Sequence, residues 1–128
     1  MTTAYIDASA LVKLAVEEPG AIALRRFLEL FDEHTTSRIG LVETRRALAR
    51  VAVDPDLADR VMAPIGPIEL DAAVAATAAV LQPHALRTLD AIHLATALAL
   101  YHVDAFVTYD DRLADAARSL GLPVVSPD

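Results

Sequence analysis

The feature that most constrains this chain is the alternation of short β-prone segments with longer helical ones. "TAYID" (3–7), "HTTS" (34–37), "IGPIEL" (65–70), "AFVTYD" (105–110) and "LPVVS" (122–126) are separated by stretches with helical character: 9–18, 21–33, 39–52, 54–63, 71–82, about 88–101 and 112–121. Parallel strands need long crossovers, and helices usually supply them. The pattern therefore predicts an α/β fold, a central mostly parallel sheet flanked by helices in three layers. In open sheets of this kind, ligands bind beyond the carboxyl ends of the strands. Two of the segments end on an aspartate, "YID" at Asp7 and "VTYD" at Asp110. If both strands run parallel, both carboxylates stand on one rim.

A third acid is conspicuous for its surroundings. In "LRTLDAIHLATALALY" (86–101), Asp90 and His93 are the only ionisable side chains between Leu89 and Ala99. Leu94, Ala97 and Tyr101 share a face with Asp90 and suggest a buried helix. A carboxylate buried without a partner has its charged form penalised by desolvation. With Thr88 as N-cap, Asp90 falls in the first turn, where the helix dipole favours a negative charge by about 0.3–1 kcal/mol. That accounts for the charge but not for its apolar neighbours.

The remaining acids have ordinary readings as well. Asp7 and Asp110 can each cap the helix that follows, and Asp111 competes with Asp110. Glu43, in "IGLVETRRALARVA" (39–52), falls outside the apolar face of Leu41, Thr44, Leu48, Val51 and Ala52. Periodicity makes it a surface glutamate paired with Arg46, worth tenths of a kcal/mol. His93 reads as a core histidine; His34, His84 and His102 lie near element ends and read as solvent-facing. Lys13 reads as a surface residue. Ser9 and Thr108 read equally well as turn or strand-end hydrogen-bonders.

Composition narrows the function classes. The chain has 128 residues, a length that suggests a single domain over 1–128 with a core of its own. It carries no cysteine, which removes disulfides, thiol catalysis and cysteine zinc sites. No apolar run approaches the about 20 residues that span a bilayer, and Asp7 interrupts the first apolar segment, so a cytoplasmic location is expected. The net charge is −7, which argues against non-specific nucleic-acid binding. All basic residues except Lys13 are arginine, the residue better suited to bidentate phosphate contacts.

Taken together, "YIDASALVKL", "VETRRAL", "LRTLDAIHLATAL", "FVTYDDRL" and "GLPVVSP" resemble the PIN-domain ribonucleases, and more closely the VapC toxins of bacterial and archaeal toxin–antitoxin pairs. The resemblance covers nearly the whole chain; residues 53–85 match only in helical character. It implies a PIN-like three-layer sandwich. The family's acids fall on Asp7, Glu43, Asp90 and Asp110, with Asp111 an alternative for the fourth. Its supporting hydroxyls fall on Ser9 and Thr108. Asp7, Asp90 and Asp110 would hold Mg²⁺, or Mn²⁺, and Glu43 would complete the set or orient a water.

Physical chemistry supports a cation in such a cluster. Two like charges 4 Å apart repel by about 4 kcal/mol at an effective dielectric near 20, and oxygen-only ligands suit Mg²⁺ or Mn²⁺ rather than zinc. The implied activity is metal-dependent endoribonuclease cleavage. Arg46, Arg50 and Arg87 are candidates to contact the RNA substrate, with Arg45 and Arg112 further options. The resemblance also implies a VapB-type antitoxin as partner, a homodimer, and DNA binding by the antitoxin rather than by this chain. The alternative reading is a catalytically weak PIN module that acts as a protein- or RNA-binding partner. A haloacid-dehalogenase-type phosphatase needs an aspartate where Ser9 stands. A receiver domain needs a late lysine, and the only lysine is Lys13.

Overall fold

The computed structural model describes all residues, Met1–Asp128. The elements are β1 (Thr3–Ile6), α1 (Ala8–Ala15), α2 (Ala21–Leu28), β2 (Glu33–Ser37), α3 (Arg38–Arg50), α4 (Pro55–Met62), β3 (Gly66–Ile68), α5 (Ala72–Val80), α6 (Thr88–Ala99), β4 (Ala105–Val107), α7 (Asp111–Ser119) and β5 (Val124–Val125). One sheet contains all five strands in the order β3-β2-β1-β4-β5, and every pairing is parallel. No helix is long and apolar enough to cross a membrane.

β1 is the centre of the sheet and is buried on both faces. Side chains alternate across a strand, so its four residues serve two cores. Ala4 and Ile6 join Ala10 and Leu11 of α1, Leu24 and Leu28 of α2, and Val107 of β4. Tyr5 points the other way, to Leu94 of α6, Phe106 of β4, and Leu113 and Ala117 of α7. A third cluster, Ala15, Leu48, Ala58 and Met62, fastens α1, α3 and α4 to one another. These layers are the three predicted.

Local departures from the sequence reading have local causes. The helix expected over 21–33 ends at Leu28. Phe31 still meets Phe27, ring centroids 5.0 Å apart, but from a turn rather than from a further helical turn. The chain has to leave the helix there because β2 enters register with β1 at Glu33 opposite Thr3. The N-cap of α6 is Arg87, not Thr88, and its side chain makes no capping bond. Tyr101 lies beyond the helix and is fully exposed, so it is not part of the buried face of Leu94 and Ala97. α7 closes as expected at Gly121, which has φ +83° and allows Leu122 N–H to reach Ala117 O.

Leu94 is wholly buried between α6 and the sheet. Leu94→Ala is expected to lower unfolding free energy by about 2–5 kcal/mol, measured by urea denaturation.

Candidate active site

The parallel pairing of β1 with β4 decides where the site forms. Ile6 lies opposite Val107, and Asp7 N–H donates to Val107 O at 3.0 Å. Each strand then turns into a helix, and the aspartate at each junction is its N-cap. Asp7 Oδ1 accepts from Ala10 N–H at 3.0 Å. Asp110 Oδ1 accepts from Arg112 N–H at 2.9 Å and Leu113 N–H at 3.1 Å. The capping reading is therefore correct for both residues. It uses Oδ1, while Oδ2 makes the contacts to other elements described below. Asp110 takes the cap and Asp111 is exposed in the first turn of α7.

Asp7, Glu43, Asp90 and Asp110 line one pocket of 280 Å³, together with Ser9, Arg87 and His93. Asp7 is the deepest and is almost fully buried. Ser9 Oγ donates to its Oδ1 at 2.6 Å and Thr108 Oγ1 to its Oδ2 at 2.6 Å. The same hydroxyls accept from the Tyr109 N–H at 2.9 Å and the Asp110 N–H at 3.1 Å. Ser9 and Thr108 thus lock the ends of β1 and β4 to each other through the Asp7 carboxylate. Burial raises the Asp7 pKa above its ordinary value; the bonds from Ser9, Thr108 and the Ala10 N–H oppose that rise.

Asp90, in the first turn of α6, is also buried. Its Oδ2 accepts from Arg87 Nε at 3.2 Å, and Arg87 Nη2 reaches Asp110 Oδ2 at 3.3 Å. One guanidinium therefore bridges two of the four acids. Glu43 is paired not with Arg46 but with His93, Nε2 to Oε1 at 2.7 Å. His93 is a core residue, as expected, yet it is wired to the pocket. The arrangement satisfies each acid from within the protein, and no three acidic or histidine side chains stand close enough to hold an ion together.

The arginines divide. Arg45 turns away and pairs with Asp59 at 2.8 Å. Arg46 and Arg50 form no ion pair; they line an adjoining cleft of 590 Å³ with Ser9, Lys13, Glu43 and Tyr109. Arg112 is exposed beside Asp110. Lys13 is less open than its surface reading implied: Nζ donates to Pro19 O at 2.8 Å and lies 4.5 Å from the Tyr109 ring centroid. His34 likewise is half-buried and bonded to Leu28 O at 2.7 Å, whereas His84 and His102 are exposed as expected.

Against this geometry, residues 4–119 match the PIN domain family. Ribonuclease VapC46 of Mycobacterium tuberculosis is 43% identical, with 99% of each chain covered. The chain belongs to the VapC-type PIN-domain family. Ribonuclease VapC35 of the same organism is 42% identical over 96% of each chain. Two crystal structures share the fold. The Mycobacterium tuberculosis VapC20, a Sarcin-Ricin loop cleaving toxin, has a TM-score of 0.75 at 16% identity, covering 97% of this chain and 99% of its own. A chain of Rickettsia felis VapBC2 bound to a promoter DNA fragment has 0.79 at 15% identity, covering 99% and 100%.

The role of His93 in holding Glu43 is the feature that sequence reading missed. A signal existed: Tyr5 sits in a buried strand, where a hydroxyl needs a partner, and His93 is the polar residue on the helix that covers it.

The Asp7 pKa sets a pH dependence. A folded value raised above the unfolded one means that Asp7 favours the fold below its ordinary pKa of 3.8, and that this contribution is lost as pH climbs through the raised value. Above that, its buried charge opposes folding. Without metal, Asp7→Asn is therefore expected to melt higher than the parent protein at pH 7–8. The difference should shrink towards pH 4, as read by thermal unfolding in EDTA.

Proposed function

We propose that the chain is a ribonuclease toxin of a VapBC-type pair that hydrolyses RNA phosphodiester bonds at the four-acid pocket with Mg²⁺ or Mn²⁺. The observation that carries this reading is the convergence of Asp7, Glu43, Asp90 and Asp110 on one small pocket from four separate parts of the chain. The near-full-length likeness to Ribonuclease VapC46 supports the reaction class.

The donor set fits a hard cation. It is carboxylate and hydroxyl oxygen throughout, and the Arg87 guanidinium already stands as a positive charge between Asp90 and Asp110. Asp7, Asp90 and Asp110 are the residues that would hold the ion, once Arg87 has moved from between the last two. When bound, the ion supplies charge against the phosphorane-like transition state and makes a water more acidic. Glu43, which gives Oε1 to His93, accepts the proton of the attacking water. The water oxygen bonds to phosphorus, the P–O3′ bond breaks, and the leaving 3′-oxygen takes a proton from solvent, leaving a 5′-phosphate and a 3′-hydroxyl. Arg46 and Arg50, free of ion pairs, hold backbone phosphates in the adjoining cleft. Arg87, released from the carboxylates, becomes a third phosphate ligand.

The −7 charge suits a basic segment of a VapB-type antitoxin, which would also carry any DNA binding. A homodimer belongs to the same proposal.

Asp7→Asn is expected to remain folded and to lower cleavage of total cellular RNA by about 100-fold or more. Cleavage by the parent protein should vanish in EDTA. RNA retained on the protein but uncut in Mg²⁺ would favour the binding-module reading. Arg87→Gln is expected to tighten Mn²⁺ binding by about 2- to 30-fold, the equivalent of two ion pairs on a solvent-exposed arginine at about 0.2–1 kcal/mol each, measured by calorimetry without RNA.

A further inference from the structure

We infer that His93 is a positioning residue: a one-way hydrogen-bond relay from the Ser37 backbone through Tyr5 and His93 fixes the direction of the Glu43 carboxylate. The inference deepens the nuclease reading and rests on it for its consequence, but the relay itself is a property of the fold.

The direction of the relay is assigned from its one fixed donor and its one fixed acceptor, the Ser37 N–H and the Glu43 carboxylate. The Ser37 N–H donates to the Tyr5 hydroxyl at 3.1 Å. That oxygen lies 2.7 Å from His93 Nδ1, and the Thr36 hydroxyl also faces it. The Ser37 N–H can only donate, and the relay has the Tyr5 hydroxyl pass its own proton on to Nδ1. A ring nitrogen that accepts leaves the imidazole proton on Nε2, and Nε2 faces Glu43 Oε1 at 2.7 Å. The relay ends as a charge-assisted bond to a carboxylate. Tyr5 and His93 are both buried to within 2%, so bulk water has almost no access to the bonds between them.

The rings are also held mechanically. Tyr5 stacks on Phe106 at 5.1 Å with 5° between planes, and meets His93 edge-on at 83°. From the other side, α3 lies directly on the imidazole at Gly40. A Cβ there would come within 2.9 Å of His93 Cε1 and 2.6 Å of Thr36 Oγ1. Gly40 is one turn before Glu43 on α3, so the absence of a side chain at 40 is what lets the helix seat its glutamate against Nε2. Register, ring orientation and proton direction all aim one carboxylate.

The placement predicts a division between chemistry and binding. His93 edges the pocket but is almost wholly buried, and its Nε2 is spent on Glu43, so its loss should act on kcat and leave KM nearly alone. His93→Gln keeps an N–H donor near the Nε2 position; His93→Leu keeps the bulk and removes it. Leu at 93 is expected to lower kcat on total RNA in Mg²⁺ by about 10–100-fold, the range for groups that orient a ligating residue, with KM within about 3-fold. Gln should restore most of the loss.

Tyr5→Phe serves as a second variant because it preserves the stack on Phe106. ¹⁵N NMR of the metal-free parent protein should show His93 with a protonated Nε2 and a bare Nδ1, and Tyr5→Phe should abolish that bias. An Nδ1–H tautomer, or an imidazolium with both nitrogens protonated, would overturn the relay whether or not the protein cuts RNA. Unchanged kcat in His93→Leu, with the parent active, would overturn the positioning role alone. An inactive parent with the stated tautomer would instead count against the nuclease reading.

Discussion

The pairing of β1 with β4 is the constraint on which the rest of the site depends. Parallel strands in adjacent positions deliver their next residues to the same rim, and here both next residues are aspartates that begin helices. Each helix N-terminus presents unsatisfied N–H groups and a partial positive charge. The two carboxylates are thus drawn to the rim by the same interactions that start α1 and α7. Asp90 repeats the device in the first turn of α6. Three acids can line one pocket because three helices point their positive ends towards it. Glu43 is different: it comes from within α3, and a histidine holds it.

This explains how far the sequence was legible. Strand order within the sheet was not read, but the alternation of segments was enough for the layers, and the two strand-end aspartates were enough for a shared rim. Asp7 shows why capping a helix and lining the pocket are not alternatives. A carboxylate has two oxygens, and the backbone needs only one of them. Ser9 and Thr108 follow the same logic, each bonding the Asp7 carboxylate and a backbone N–H at once.

What periodicity misjudged was the partner of Glu43. A helical wheel sees only neighbours on its own helix, so it offered Arg46 at i+3. The true partner, fifty positions along the chain, is brought in by α6 crossing under α3 at Gly40. Arg45, a further option for RNA contact, is likewise drawn to another helix, where it pairs with Asp59 of α4. The helix expected through residue 33 failed differently: apolar spacing is satisfied by Phe31 packing on Phe27, and spacing alone does not tell a helix from a turn. Tertiary contacts decided each of these, and local pattern carries no information about them.

The Arg87 bridge has a consequence for how the acidic pocket tolerates its own charge. In many small metal-binding domains the unfilled site is a cluster of repelling charges, and folding waits on the metal. Here a side chain of the same chain already sits between Asp90 and Asp110 and quiets their repulsion. The chain thus supplies its own counter-charge for these two carboxylates, and folding alone can bring them together.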